Sequence, residues 1–283
     1  MSGEGWRFTR SPRWIGYAAF VVAFAVACVL LSQWQFDRLE EARTEVARVA
    51  GNWDSPAEPL REVLPSLDSF EADQKWQPVL LQGRYLAQEQ VLARGRPYGG
   101  KAGFAVLVPF QLDDGTVFIV DRGWVPAGNE QDAPDAVPAP PAGQVTVVAR
   151  LKPGEPVVPG RSAPAGQVAT INLDQLAQLL EHPVHTGAYG VLDSEDPSPA
   201  AVPAPTLRPV PDEGPHLSYA LQWVAFGILG FIALAWAVRH EYRIRNEHDP
   251  KVRRSAERRR ERAARRGPTD ADIEDALLDE AER

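Results

Sequence analysis

Two uninterrupted apolar blocks near the ends of the chain constrain its fold more than any other feature. The first runs from Trp14 to Leu31 without a charge, and its most polar members are Tyr17 and Cys28. The second runs from Leu221 to Val238, with Gln222 as its one strongly polar side chain. Each block is 18 residues long, which as a helix measures about 27 Å, close to the roughly 30 Å of a bilayer's hydrocarbon core. A buried helix of a soluble protein can look similar, but the flanks favour membrane spans. Arg7, Arg10 and Arg13 precede the first block, and Arg239, Arg243, Arg245 and Lys251 follow the second. Basic residues at both outer ends place both termini in the cytoplasm, as two spans require. Trp14, Trp34, Tyr219 and Trp223 sit near the span ends, where interfacial aromatics collect.

The expected organisation is therefore a multi-pass protein of the cell (plasma) membrane. Residues 1–13 form a cytoplasmic start, 14–34 the first transmembrane helix and 35–215 an extracytoplasmic domain. Residues 216–238 form the second transmembrane helix and 239–283 a charged cytoplasmic tail. Basic and acidic residues number 3 and 1 over residues 1–31, 14 and 25 over 32–215, and 13 and 12 over 239–283. The middle segment is thus strongly acidic, which argues against nucleic acid as a partner. A single cysteine, Cys28, excludes an intramolecular disulfide and a two-thiol metal or redox site within the chain. Ala25-Val26-Ala27-Cys28 has some likeness to a lipoprotein cleavage site, but the apolar run continues past the cysteine, so a cysteine on a membrane helix is the preferred reading.

Between the spans the hydrophobic period changes from that of helices to that of strands. The first helix is expected to continue to about Val49, with Gly51 as its stop. Strands are predicted over Pro78 to Leu86, Gln90 to Arg94, Phe104 to Leu112, Thr116 to Val125, Gln144 to Leu151, Val168 to Ile171 and Ala188 to Leu192. Asp113-Asp114-Gly115 reads as a hairpin turn. Asn172 reads as the N-cap of a helix from Leu173 to Glu181. Three Pro/Ala-rich stretches, 126–143, 153–166 and 195–215, are loops or linkers, because proline cannot donate to a ladder. The fold class is then two transmembrane α-helices plus an extracytoplasmic, mainly antiparallel β domain (β-rich α+β), closing as a small barrel or curled sheet. The tail divides into 251–266, with nine Lys/Arg against two Glu, and 270–282, with seven Asp/Glu. It reads as solvated or disordered, with anionic lipid or a partner protein as the alternatives.

No nucleophile elbow, phosphate loop or dinucleotide fingerprint is present in the sequence, so no catalytic residue is assigned. Four stretches together resemble the Surfeit locus protein 1 family, assembly factors of haem-copper cytochrome oxidase. They are Trp34-Gln35 with Arg38; Pro78-Val79 with Gly83 and Gly100-Lys101-Ala102-Gly103 leading to Pro109; Val120-Asp121-Arg122-Gly123-Trp124-Val125-Pro126; and His216-Leu217-Ser218-Tyr219-Ala220-Leu221-Gln222-Trp223. The resemblance spans residues 12 to about 243. It departs from the family at Ala42, where a lysine is frequent, and at Asp121, where asparagine is common.

The resemblance implies a non-catalytic factor that holds haem a, or the oxidase subunit receiving it, at the outer leaflet. Its partners would be oxidase subunits, the haem-a synthesis enzymes and the lipid bilayer. A permanent accessory subunit of a respiratory oxidase without cofactor is the alternative, and an anchored enzyme a third. In the family the histidine at position 216 is implicated in haem a binding. The residues are compatible with this: His216, Tyr219 and Trp223 share a helical face, and a neutral imidazole ligates haem iron. The plainer reading makes His216 an interfacial helix anchor. Arg122 reads as a structural ion-pairing residue, with a haem propionate as its alternative partner, and Trp124 as a packed side chain. His182 and His185 are separated by Pro183 and share no helical face, so they make a weak metal pair.

Overall fold

The computed structural model describes residues 5–129 and 133–266. The chain divides into two compact units, one of residues 1–40 with 214–283 and one of residues 41–213.

The first unit is built on two long helices, α1 (Pro12–Asn52) and α4 (His216–Arg245). Their facing sides are small or polar. Ser32 donates from Oγ to the carbonyl of Ala220 at 3.1 Å, Cys28 lies against Gly227, and Val21 and Phe24 lie against Gly230. Partners that descend along one helix as they climb the other define an antiparallel pair. At the far end, the Gly5 N–H donates to Asn246 Oδ1 and Trp6 stacks on Tyr242. The start of α1 and the end of α4 therefore lie together. The outward sides carry exposed Ile15, Phe20, Val29, Leu30, Leu221, Ile228, Ile232 and Trp236. Only 11% of the apolar stretch of α1 and 0% of that of α4 is buried by protein. Apolar surface on that scale requires lipid, so the two helices are transmembrane and the chain is a membrane protein.

The helix of the first block runs three residues past the expected Val49, through Gly51. Two hydrogen bonds from the Asn52 amide, to the carbonyls of Asp73 and Lys75, hold that last turn in place. Residues 250–266, expected as a solvated or disordered tail, form helix α5 (Pro250–Arg266). The acidic stretch 270–282 lies outside the described residues.

The second unit is a closed five-strand barrel. Its elements in chain order are β1 (Glu58–Pro59), α2 (Leu60–Val63), β2 (Pro78–Tyr85), β3 (Val91–Ala93), β4 (Gly103–Leu112), β5 (Val117–Pro126), β6 (Val145–Pro153), β7 (Gln167–Val168), α3 (Leu173–Leu179) and β8 (Ala188–Asp196). The ring runs β2–β6–β8–β5–β4 and returns to β2. Every junction is antiparallel except β5–β8. The β4–β5 hairpin turns where expected: Asp114 Oδ1 accepts from the backbone and hydroxyl of Thr116, and Gly115 takes a φ of 86°.

Strand alternation assigns the two faces. Val106, Val108, Phe110, Phe118, Val120, Val145, Val147 and Leu151 form one cluster, capped by Leu60, Val63 and Leu64 of α2 and its end. Leu107, Ile119, Tyr189 and Val191 point the other way and are covered by Leu173 and Leu176 of α3. This double burial explains why β4 and β5 read as near-continuous apolar runs. Asn172 caps α3 by accepting from the Gln175 N–H at 3.0 Å. The helix is two residues shorter than expected. β7 also stops early, because the Ile171 N–H is taken by Glu155 rather than by a ladder.

β8 is longer than expected, ending at Asp196 rather than Leu192. Val147 pairs with Glu195 and Thr146 with Asp196, so the start of a Pro-rich stretch that reads as linker extends the β6–β8 ladder.

Candidate functional site

The stretch around Asp121-Arg122-Gly123-Trp124 lies at the end of β5, with successive side chains on opposite faces. Arg122 falls on the face of Phe118 and Val120, and only 1% of it is exposed. Its guanidinium donates to both carboxylate oxygens of Glu195, at 2.6 and 3.3 Å, and to the Pro138 carbonyl at 2.9 Å. Tyr85 presents its ring to the same guanidinium. Arg122 thus makes a buried, two-pronged ion pair that also pins the Pro-rich loop after β5. A haem propionate would have to displace Glu195 from it. At Gly123 the chain passes so near the Ala204 carbonyl that a Cβ would collide with it. The neighbouring Trp124 exchanges two backbone hydrogen bonds with Ala204. Trp124 stacks on Tyr98, and its indole donates to the Arg96 carbonyl at 2.7 Å.

Asp121 points to the opposite face and accepts from the Gly123 N–H at 3.0 Å. Burial pushes its carboxyl pKa up to about 6 from an ordinary 3.8. The folded state therefore holds this proton more tightly than the unfolded chain does, and stability falls as pH rises from about 4 to about 6. Asparagine keeps the accepting oxygen without the charge. Asp121→Asn should raise the unfolding free energy at pH 7 by about 2–3 kcal/mol and flatten the pH dependence across that window. Unfolding of both proteins between pH 4 and pH 7 measures it, and equal slopes would contradict the burial account.

The first unit brings together residues from the two stretches at the membrane borders. His216, the first residue of α4, places Nδ1 2.9 Å from Oε1 of Gln35 on α1. Gln35 is 9% exposed and His216 half-buried. A buried amide is costly unless bonded, so this contact matters to both helices. With the Gln35 oxygen accepting, the proton sits on Nδ1 and the lone pair on Nε2. Among the described residues no hydrogen bond to Nε2 is found. Tyr219, 48% exposed, and half-buried Trp223 follow at helical spacing on the same side of α4, and Trp223 meets Phe226 edge-on. Gly214 lies next to Nε2 and brings no side chain there. An imidazole held at Nδ1 in this way could offer Nε2 to haem iron, since a ligating histidine is usually fixed by a hydrogen bond at its other nitrogen.

Two other histidines lie in the second unit. His185 is buried, with its ring edge-on to Phe118, and burial pushes its pKa down. His182 lies 3.6 Å from Glu89. Among the described residues no group of three or more His, Cys, Asp or Glu side chains is placed to hold a metal ion.

Two partners were not legible in advance. Gln35 stands in a quoted motif, yet nothing in sequence ties it to a residue 181 positions away. Glu195 was hidden at the start of a Pro-rich stretch.

The architecture defines a class: a membrane protein whose two transmembrane helices enclose, in sequence, a closed five-strand barrel. The SURF1 family profile matches residues 22–228, from within the first transmembrane helix to within the second. SURF1-like proteins of Mycobacterium bovis and Mycobacterium tuberculosis are 36% identical over 244 residues, covering 84% of this chain and 88% of theirs. A SURF1-like protein of Rickettsia bellii is 23% identical over 219 residues, covering 75% and 86%. The chain belongs to the SURF1 family.

Proposed function

We propose that the chain is a non-catalytic assembly factor for a haem-a-containing cytochrome oxidase, working at the outer leaflet of the cell membrane. The observation that carries this reading is the His216–Gln35 hydrogen bond, in a chain whose family supplies the oxidase context. His216 would hold haem a through Nε2, and the haem would supply the iron that the oxidase receives. The chain's own residues supply the rest. Gln35 holds the imidazole so that Nε2 keeps its lone pair, while Tyr219 and Trp223 offer apolar ring surface for a flat macrocycle. Arg122 serves the barrel. The basic flanks of α1 and α4 support an orientation with both termini in the cytoplasm and the barrel outside.

The test is the state of the oxidase in membranes that lack this chain. Oxidase polypeptide should persist there with haem a absorption strongly reduced, and expression of the wild-type chain should restore it. Oxidase with a full haem complement in its absence would contradict an assembly role. Stoichiometric co-migration of the chain with mature oxidase would favour a permanent accessory subunit.

A further inference from the structure

Helix α5 plays no part in the site above, and its charge pattern points to a surface of its own. Residues 250–266 hold nine Lys/Arg and two Glu. Arg254, Arg258, Arg262 and Arg265 recur at i, i+4, i+8 and i+11 and are all exposed. At 3.6 residues per turn they fall within an arc of about 80°, a single basic row along the helix. Like charges at that spacing repel one another, and Glu257 and Glu261 offset only part of the row, so further anions lying against it would stabilise the helix.

Position identifies the anions. α4 crosses the membrane and ends in Arg239, Arg243 and Arg245, with Trp236 and Tyr242 among them, the residues that mark a bilayer surface. Its end is closed by Asn246, whose backbone and side-chain N–H groups both donate to the Tyr242 carbonyl. The Asp249 N–H donates back to the Asn246 carbonyl at 2.9 Å, and α5 starts at the next residue. A four-residue hydrogen-bonded turn leaves α5 beginning within about 18 Å of the end of α4 even at full extension. The basic row therefore starts at the headgroup layer. Nucleic acid fits less well, because the basic row starts within reach of a bilayer surface and residues 239–283 carry 12 acidic residues against 13 basic ones.

We propose that α5 is an electrostatic anchor that docks its arginine row on anionic phospholipid headgroups of the membrane α4 has just left. Binding of this kind depends on charge number and not on guanidinium geometry. Neutralising the four arginines should shift the docked equilibrium by about 10²–10³-fold, at about fivefold per charge. Lysine at the same positions should preserve it. Removing the acids of the helix should not weaken it.

The experiment places a spin label beside the arginine row, at Ser255→Cys, in a full-length Cys28→Ala background. The protein is reconstituted in nanodiscs of phosphatidylcholine alone or mixed with phosphatidylglycerol, and label access to a water-soluble relaxation agent is read. Docking predicts protection only with phosphatidylglycerol, released by high salt. Protection should be lost in Arg254→Gln/Arg258→Gln/Arg262→Gln/Arg265→Gln and kept in the matching lysine variant and in Glu257→Gln/Glu261→Gln. Equal access in both lipids would overturn the proposal. So would lipid-independent protection that disappears when residues 268–283 are deleted, since the chain's own acidic end would then be the occupant. Protection that appears only on adding DNA or RNA would overturn it as well.

Discussion

Glu195→Leu should destabilise the barrel by about 3–5 kcal/mol, because it leaves the Arg122 guanidinium charged and buried without its carboxylate. The two side chains are 0% and 3% exposed, so water cannot replace the lost partner. Replacing both with leucine removes the stranded charge and should recover most of the loss, since apolar pairs of similar volume often match a buried ion pair. A surface pair provides the contrast. Asp193, 45% exposed, meets Arg150, but Arg150 also donates to the Trp53 carbonyl and stacks on the Trp53 ring. Asp193→Ala should therefore cost under about 1 kcal/mol. Denaturant unfolding of the solubilised proteins, followed by tryptophan fluorescence, gives all the values. A Glu195→Leu loss no larger than that of Asp193→Ala would mean that the Arg122 pair is not buried as described.

Much of the fold was legible in sequence because its signals are local. Uncharged 18-residue runs announce membrane spans, period-two alternation announces β6, and Asp114-Gly115 announces a turn. What was not legible is non-local. The parallel contact that closes the ring, Val120 with Gly190 and Asp121 with Val191, joins strands far apart in sequence and leaves no local trace. The final residues of β8 are polar and precede Pro197, so their composition resembles a loop. Their partner Arg122 is what turns Glu195 inward. The end of α1 was missed for a similar reason, since hydrogen bonds from Asn52 to a distant segment override the weak helix propensity of Gly51. At the candidate site the sequence pointed to His216, but the tautomer-setting contact with Gln35 needed the helix pair in place.

The second large effect is expected at His216. On the proposed reading His216→Ala removes the ring nitrogen that would hold haem a, and bound haem a should fall below detection while the protein still inserts and accumulates. The cost in stability is about 1 kcal/mol, because Gln35 loses its partner in a buried position. Gln35→Leu keeps the His216 imidazole but releases its orientation. That variant should retain haem about 10–100-fold more weakly, the usual penalty for losing the hydrogen bond behind a ligating histidine. Equal loss in the two variants would mean that Gln35 holds the helices together and does not merely orient the ring. The most direct measurement is the absorption spectrum of the purified protein after co-expression with the haem-a synthesis enzymes. The account predicts haem a bands in the wild-type protein and none in His216→Ala at equal yield. A colourless wild-type protein, or a His216→Ala protein with wild-type bands, would contradict it.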